Sequence, residues 1–238
     1  MSARKYRPNA IDLQRLFDRM LSAYGPQHWW PAESDYEMII GAILTQNTAW
    51  RNVETALTQL KSAHIWSWDE VFEAQIETLA EVVRPSGYFN QKARKIKLFS
   101  EFLDREFGRS TDDLFQLPID NLRKVLLAQW GIGPETADDI ILYAAKKPVF
   151  VIDKYTQRLT SRLGWEIKPA NYEGHRASFE SLLPHDAKMF GEYHALIDHH
   201  CNTTCQKTPK CAECPIVDIC NTGAATISSP ESATHPVA

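Results

Sequence analysis

Apolar positions recur along most of this chain at the three- and four-residue spacing of a helix, not in the alternation of a strand. In IDLQRLFDRMLSAYG, Leu13, Leu16, Phe17, Met20, Leu21 and Tyr24 mark one face, and Gly25 supplies a stop. After a Trp- and Pro-rich turn, HWWPAES, Asp35 opens DYEMIIGAILTQNT, whose nearly continuous apolar run predicts a buried helix. Val53, Ala56, Leu57 and Leu60 give the next stripe, and the same period predicts helices near 69–83, 91–106, 119–129, 134–146 and 153–163. The strand-like run PVFVID, at 148–153, is too short and isolated to build a sheet. An all-α fold is therefore expected. The small, polar, Pro-containing tail beyond Gly223, residues 224–238, is expected to be disordered.

Composition adds boundaries. At 238 residues the chain can bury a substantial core, as one unit or as two small lobes. With 44% hydrophobic and 24% charged residues it reads as an ordinary globular protein, and no apolar run is long enough to span a bilayer. The start, MSARKYRPNA, is basic without an apolar core, so it does not read as a secretory signal, and a cytoplasmic location is expected. Nothing indicates an oligomer; a monomer is expected. The net charge of −4 does not exclude a nucleic-acid partner, because binding depends on where positive charge lies.

Cysteine placement is more telling. All five cysteines fall between Cys201 and Cys220, which argues for a metal centre and against a disulfide framework. Cys205, Cys211, Cys214 and Cys220 are separated by gaps of five, two and five residues. Four thiolates so spaced can wrap a zinc ion or an iron–sulfur cluster, and a lone CxxC pair leans toward the cluster. Cys201 lies outside the tight pattern, as a spare thiol or an alternative to Cys205. Lys207, Lys210, His199 and His200 surround the loop, as a solvated face or as phosphate contacts.

Two further features carry chemistry. Residues 119–146 read as helix, GIG turn, helix. Glycines at 131 and 133 allow a backbone to approach a ligand closely, and amides at a helix start favour phosphate. Pro134 suits a first helical position and Glu135 a first turn, so neither demands catalysis. About twenty residues later, Asp153 follows the apolar run FVI, where it reads as an N-cap with a fixed carboxylate.

Hairpin, aspartate and cysteine loop, in that order and in one helical chain, resemble the helix-hairpin-helix DNA glycosylase superfamily, in its endonuclease III-like branch with a [4Fe–4S] loop. The resemblance covers roughly residues 10–220 and rests on GIGPETA, the aspartate of VIDKY and the cysteine loop. The first cysteine gap is five here where the best-known members have six. The resemblance implies two helical lobes: a bundle over about 35–149, and a discontinuous cluster lobe made of 1–34 and 150–223. Its partner would be double-stranded DNA containing a damaged base, held between them. Gly131, Gly133 and Thr136 would contact phosphate, Asp153 would be the catalytic carboxylate, and Cys205, Cys211, Cys214 and Cys220 would hold the cluster, with zinc as the alternative. Gln46, in TQNT, and Tyr88 or Phe89, in GYFN, match the loops that fill the gap left by a flipped base. Arg84, Lys92, Arg94, Lys95 and Lys97 then read as a basic patch beside the second loop.

One departure matters. Bifunctional members place a lysine in the hairpin, and here the matching residue is Glu135, which cannot form an imine with the sugar. A monofunctional glycosylase is therefore expected, with Lys154 the nearest substitute amine. Loss of the lysine, together with D-K-Y at the aspartate, resembles the 3-methyladenine glycosylase branch. Cationic alkylated purines could stack on aromatic walls, for which Trp29, Trp30, Trp50 and Tyr155 are candidates, with Lys154 and Glu135 nearby in the pocket. The alternatives are a mismatch uracil or thymine glycosylase, a bifunctional glycosylase/lyase, and a non-catalytic cluster-bearing DNA-binding module.

Overall fold

The computed structural model describes residues 5–227, which divide into two units with separate cores. One takes the chain up to Trp29 and again from Pro148 onward; the other is Trp30–Lys147. The segment from Trp30 joins the second unit because the Trp30 ring packs inside it. It lies edge-on to Trp50 at 5.2 Å, against Tyr143 at 5.5 Å, and over Gly41 so closely that a Cβ there would sit 3.3 Å from the ring.

Helix α1, Ala10–Tyr24, starts at a capping box formed by Asn9 and Asp12 and stops at Gly25 with φ +69°. It buries Leu13, Leu16 and Met20, the stripe read from the sequence. In the second unit, α2 is Asp35–Leu44, capped by Ser34 and buried from Tyr36 on except Glu37. Helix α3, Trp50–Ser62, buries Val53, Ala56, Leu57 and Leu60 against it.

The single helix expected over 69–83 is two: α4, Trp68–Glu73, and α5, Ile76–Val82. The break is held by Lys97, whose ammonium donates to the carbonyls of Val71, Phe72 and Ala74 at the end of α4. Helix α6, Phe89–Phe107, packs on α4 and α5, and the short α7, Thr111–Gln116, follows it behind a Ser110 cap. Helices α8, Ile119–Leu127, and α9, Pro134–Asp139, enclose the GIG turn, and α9 runs on into one π-helical turn, Ile140–Ala144.

The chain then returns to the first unit through Val149–Ile152, buried and extended but paired with no strand among the described residues. Side chains satisfy part of its backbone instead: Phe150 N–H donates to Glu180 at 3.0 Å and Ile152 N–H to the Tyr172 hydroxyl at 3.4 Å. Phe150 sits in an aromatic core with Phe179, Phe190 and Tyr193, and the Tyr193 hydroxyl donates to the Leu13 carbonyl of α1 at 2.8 Å.

Helices α10, Lys154–Leu163, α11, Tyr172–Leu182, and α12, Ala187–Thr203, complete this core. Helix α13, Asn221–Ile227, corrects the expectation of disorder beyond Gly223. Thr222 anchors it by donating to the Arg162 carbonyl, and Gly223 packs against Val217 where a Cβ would come within 2.9 Å. The rest of that expected tail, 228–238, lies outside the described residues. Among the described residues there is no named strand, only an isolated bridge between Tyr6 and Trp165.

Candidate functional site

In the second unit the hairpin is built by two unlike glycines. Gly131 has φ +80°, a left-handed backbone, and a Cβ there would fall 2.5–2.8 Å from the aliphatic stem of Lys95. Gly133 has φ −93° and open space where a Cβ would be; it caps α9 with no side chain of its own. Between them Ile132 is buried, pinning the turn. Glu135 is exposed in the first turn of α9.

Thr136 is buried, and its hydroxyl accepts a hydrogen bond from Gln46 Nε2 at 3.0 Å. Gln46 also donates to the Gly131 carbonyl at 3.4 Å and accepts from the Lys95 ammonium through Oε1. The glutamine expected to fill a duplex gap is thus seated on the hairpin, 85 residues away in sequence.

The second loop turns at Gly87 and Tyr88, both with positive φ, which leaves the Tyr88 ring 67% exposed. Phe89 begins α6 half-buried, with the Arg84 guanidinium 4.5 Å from its ring centroid. Trp50 sits half-buried at the start of α3, edge-on to Trp30.

The basic patch expected beside this loop is not a free cationic surface. Arg84 pairs with Glu81, Lys97 holds the end of α4, and Arg94 stacks on Trp130 at 4.5 Å. Lys92 is only 2% exposed. Helical periodicity explains this. Lys92 lies on the same face of α6 as Ala93, Ile96 and Phe99, so a lysine among apolar neighbours turns inward.

In the first unit Asp153 is buried and caps α10. Its Oδ1 accepts from the Thr156 amide at 2.7 Å and from the Thr156 hydroxyl at 2.8 Å, while Oδ2 accepts no hydrogen bond from the described residues. Its neighbour Lys154 is exposed, with its ammonium 5.0 Å from the Tyr155 ring centroid; Arg158 lies at the same distance from that ring.

The sequence reading missed Asp198, on α12. Burial raises its pKa most, and the repulsive Asp153 carboxylate adds to the rise against the opposing pull of His194. An aspartate between apolar Ile197 and a His pair on a helix face carried no spacing signal that could have linked it to position 153.

Cys205, Cys211, Cys214 and Cys220 line one cavity with Leu159 and Ile216. Arg162 of α10 braces the loop, donating to the carbonyls of Cys205, Gln206 and Lys207 and to Cys205 Sγ at 3.1 Å. The Cys205 thiol is lowered to about 4, first by a hydrogen bond from Cys201, with His200 and Arg162 adding to the effect. Cys201 is correspondingly held as a thiol, its Sγ 3.7 Å from the Tyr155 carbonyl. Of the two histidines beside the loop, His200 is buried and bonded through Nδ1 to the Tyr24 hydroxyl at 2.7 Å. Among the described residues no three His, Cys, Asp or Glu side chains converge tightly enough to hold a single metal ion. Four cysteines lining one cavity are a donor set that a [4Fe–4S] cluster or a zinc ion could take.

A helical chain with a glycine hairpin in one unit and a capped aspartate and cysteine loop in the other has the parts of an endonuclease III-like DNA glycosylase. Residues 40–185 match the HhH-GPD superfamily base excision DNA repair proteins, and the chain belongs to that family. It is 40% identical, over 87% of its length and 95% of the relative's, to a Methanocaldococcus jannaschii protein provisionally named a DNA repair glycosylase. The solved Helicobacter pylori 3-methyladenine DNA glycosylase, bound to 1,N6-ethenoadenine, is similar with a TM-score of 0.71 and 29% identity, over 81% of this chain and 97% of that one. A non-covalent endonuclease III–DNA complex shares the fold at a TM-score of 0.79, covering 93% and 100% of the two chains at 18% identity.

Proposed function

We propose that this glycosylase is monofunctional and releases an alkylated purine such as 3-methyladenine from duplex DNA by hydrolysis, with Asp153 as the catalytic carboxylate. One observation carries the reading: a buried aspartate has one oxygen fixed by two hydrogen bonds and the other left open. A carboxylate held in that way can face the positive charge that develops on the sugar, or orient a water, without reorganising as the reaction proceeds. In the reaction the bond from C1′ to the base nitrogen breaks with its electron pair leaving on the base. Water forms the new C1′–O bond and gives up its proton to Oδ2 or to solvent. A cationic alkylated purine leaves as a neutral base, so little acid assistance is needed.

Two further features support the reading. Glu135 stands where bifunctional relatives keep an amine, and the substitute amine, Lys154, is exposed with its ammonium 5.0 Å from the Tyr155 ring centroid. The H. pylori protein is a 3-methyladenine glycosylase, and Trp30 and Trp50, both half-buried, are the aromatic side chains proposed to lie near a cationic base. The amides at the start of α9 and Gly133 are the proposed phosphate donors, with Gln46 and Tyr88 entering the gap left by the flipped base. Cys205, Cys211, Cys214 and Cys220 would hold a [4Fe–4S] cluster. Bound there, it supplies a rigid cross-link between the ends of the loop.

The test is base release from duplexes carrying alkylated purines, oxidised pyrimidines, uracil or mismatches, for the wild type and Asp153→Asn. Alkylpurine release, reduced at least a hundredfold or so in the variant with DNA binding kept, is expected. Equal release by the variant overturns the catalytic assignment, and preference for a mismatched pyrimidine overturns the substrate. A borohydride-trapped adduct that disappears in Lys154→Ala would overturn monofunctionality.

A further inference from the structure

Lys92 is buried to 2% exposure in the second unit, yet among the described residues no carboxylate pairs with it. Its ammonium donates instead to two main-chain carbonyls, Leu44 at 2.8 Å and Ser86 at 2.5 Å. Leu44 is the last residue of α2, two before Gln46, and Ser86 is two before Tyr88. Helix ends leave carbonyls without intrahelical partners, and a buried carbonyl must find one. Here a single side chain satisfies one from each loop. The hollow between the loops is lined by Gln46, Asn47, Tyr88, Gln91, Lys92 and Lys95, so Lys92 forms its floor.

We infer that Lys92 is a positioning residue that fastens the Gln46 loop to the Tyr88 loop, so that both enter damaged DNA as one rigid wedge. The inference rests on the proposed reading that these loops fill the gap beside a flipped base. Two loops that enter one duplex must hold their spacing, and an independent hinge in either would cost ordering on binding. Methylenes of the lysine stem fill the apolar space of α6 while the ammonium reaches past it, a task no shorter donor could do. Lys95, one turn on, belongs to the same arrangement. It holds the Gln46 side chain where Lys92 holds the loop backbones.

The experiment is a double-mutant cycle on affinity for duplex DNA carrying a tetrahydrofuran abasic analogue. Gln46→Ala, Tyr88→Ala and the pair are measured with Lys92 present and in K92M. With Lys92, the pair should lose less than the product of the single losses, by a factor of about 5 or more; in K92M the losses should simply multiply. K92R, which keeps two donors, should restore the coupling.

If K92M does not fold, the same cycle in Lys95→Met protein at about pH 7 and about pH 9.5 reads the joint through its charge. Burial, with a smaller push from Lys95, brings Lys92 down to about 8. The charged and titratable groups around it are Lys95 on its own helix and Tyr88 on the loop. From α2 and from Ser86 it meets carbonyls, and Arg84 is turned to Glu81. Lys95→Met removes the smaller push, so Lys92 titrates somewhat above about 8 in that protein; the ammonium is intact at about pH 7, and the coupling should weaken toward about pH 9.5. Coupling that is absent with Lys92 present, that survives K92M, or that ignores pH overturns the inference. Single variants that bind abasic DNA as tightly as wild type overturn the loop reading itself, and the inference with it.

Discussion

Gly131 and Gly133 look interchangeable in the sequence, but the structure gives them different work. A side chain at 131 meets both a left-handed backbone, which costs an L-residue about 1–2 kcal/mol, and the Lys95 stem. Gly131→Ala should therefore lower stability by at least about 1 kcal/mol and displace Lys95 from Gln46. Gly133→Ala, at φ −93° with nothing near the new methyl, should change stability by only a few tenths and act mainly on DNA affinity. Paired urea titrations check this, and equal losses would refute the distinction. The GIG motif was legible as a turn, yet which glycine is obligatory was not, since that depends on a lysine 36 residues upstream. Lys92 shows the same limit. By type it reads as surface charge, and only its place on α6 among Ala93, Ile96 and Phe99 puts it inside.

At the scale of elements, α10 joins the two chemical features of the first unit. Its start is fixed by Asp153 and Thr156, and near its end Arg162 grips the cysteine loop. Thr156→Val keeps the shape and the amide bond but removes the hydroxyl that holds Oδ1. It should cost about 1 kcal/mol of stability and lower kcat with little change in KM, because the carboxylate loses its fixed orientation. A thermal melt with single-turnover base release tests it; unchanged kcat would mean that the cap amide alone suffices. Asp153 as a cap was readable from its position before a helical run. The break between α4 and α5 was not, because apolar periodicity passes through it and Lys97 sets it from another helix.

For the whole molecule, the cysteine loop forms one cavity wall with the end of α10 and the start of α13. Purified protein should be brown, with iron and acid-labile sulfide in equal amounts, and Cys214→Ser should lower both and loosen the C-terminal helices. A colourless protein holding one zinc would refute the cluster. Removing the metal should leave Trp30–Lys147 resistant to limited proteolysis while the chain around 205–227 is cut, because the two units have separate cores.

The sequence by itself determined the helical class, the helix faces of α1 and α3, the hairpin, and the aspartate before its helix. Each of these is written in local periodicity, capping chemistry or spacing. It also carried the family, because hairpin, aspartate and cysteines occur in one order. The tertiary structure alone decided that Thr136 faces Gln46, that Lys92 is buried between two loops, and that Asp198 lies within electrostatic reach of Asp153. The physical reason is distance along the chain. Periodicity and caps act over a few residues, whereas a buried polar group takes whichever partner packing brings to it, and, Ser86 apart, these partners lie tens of residues away.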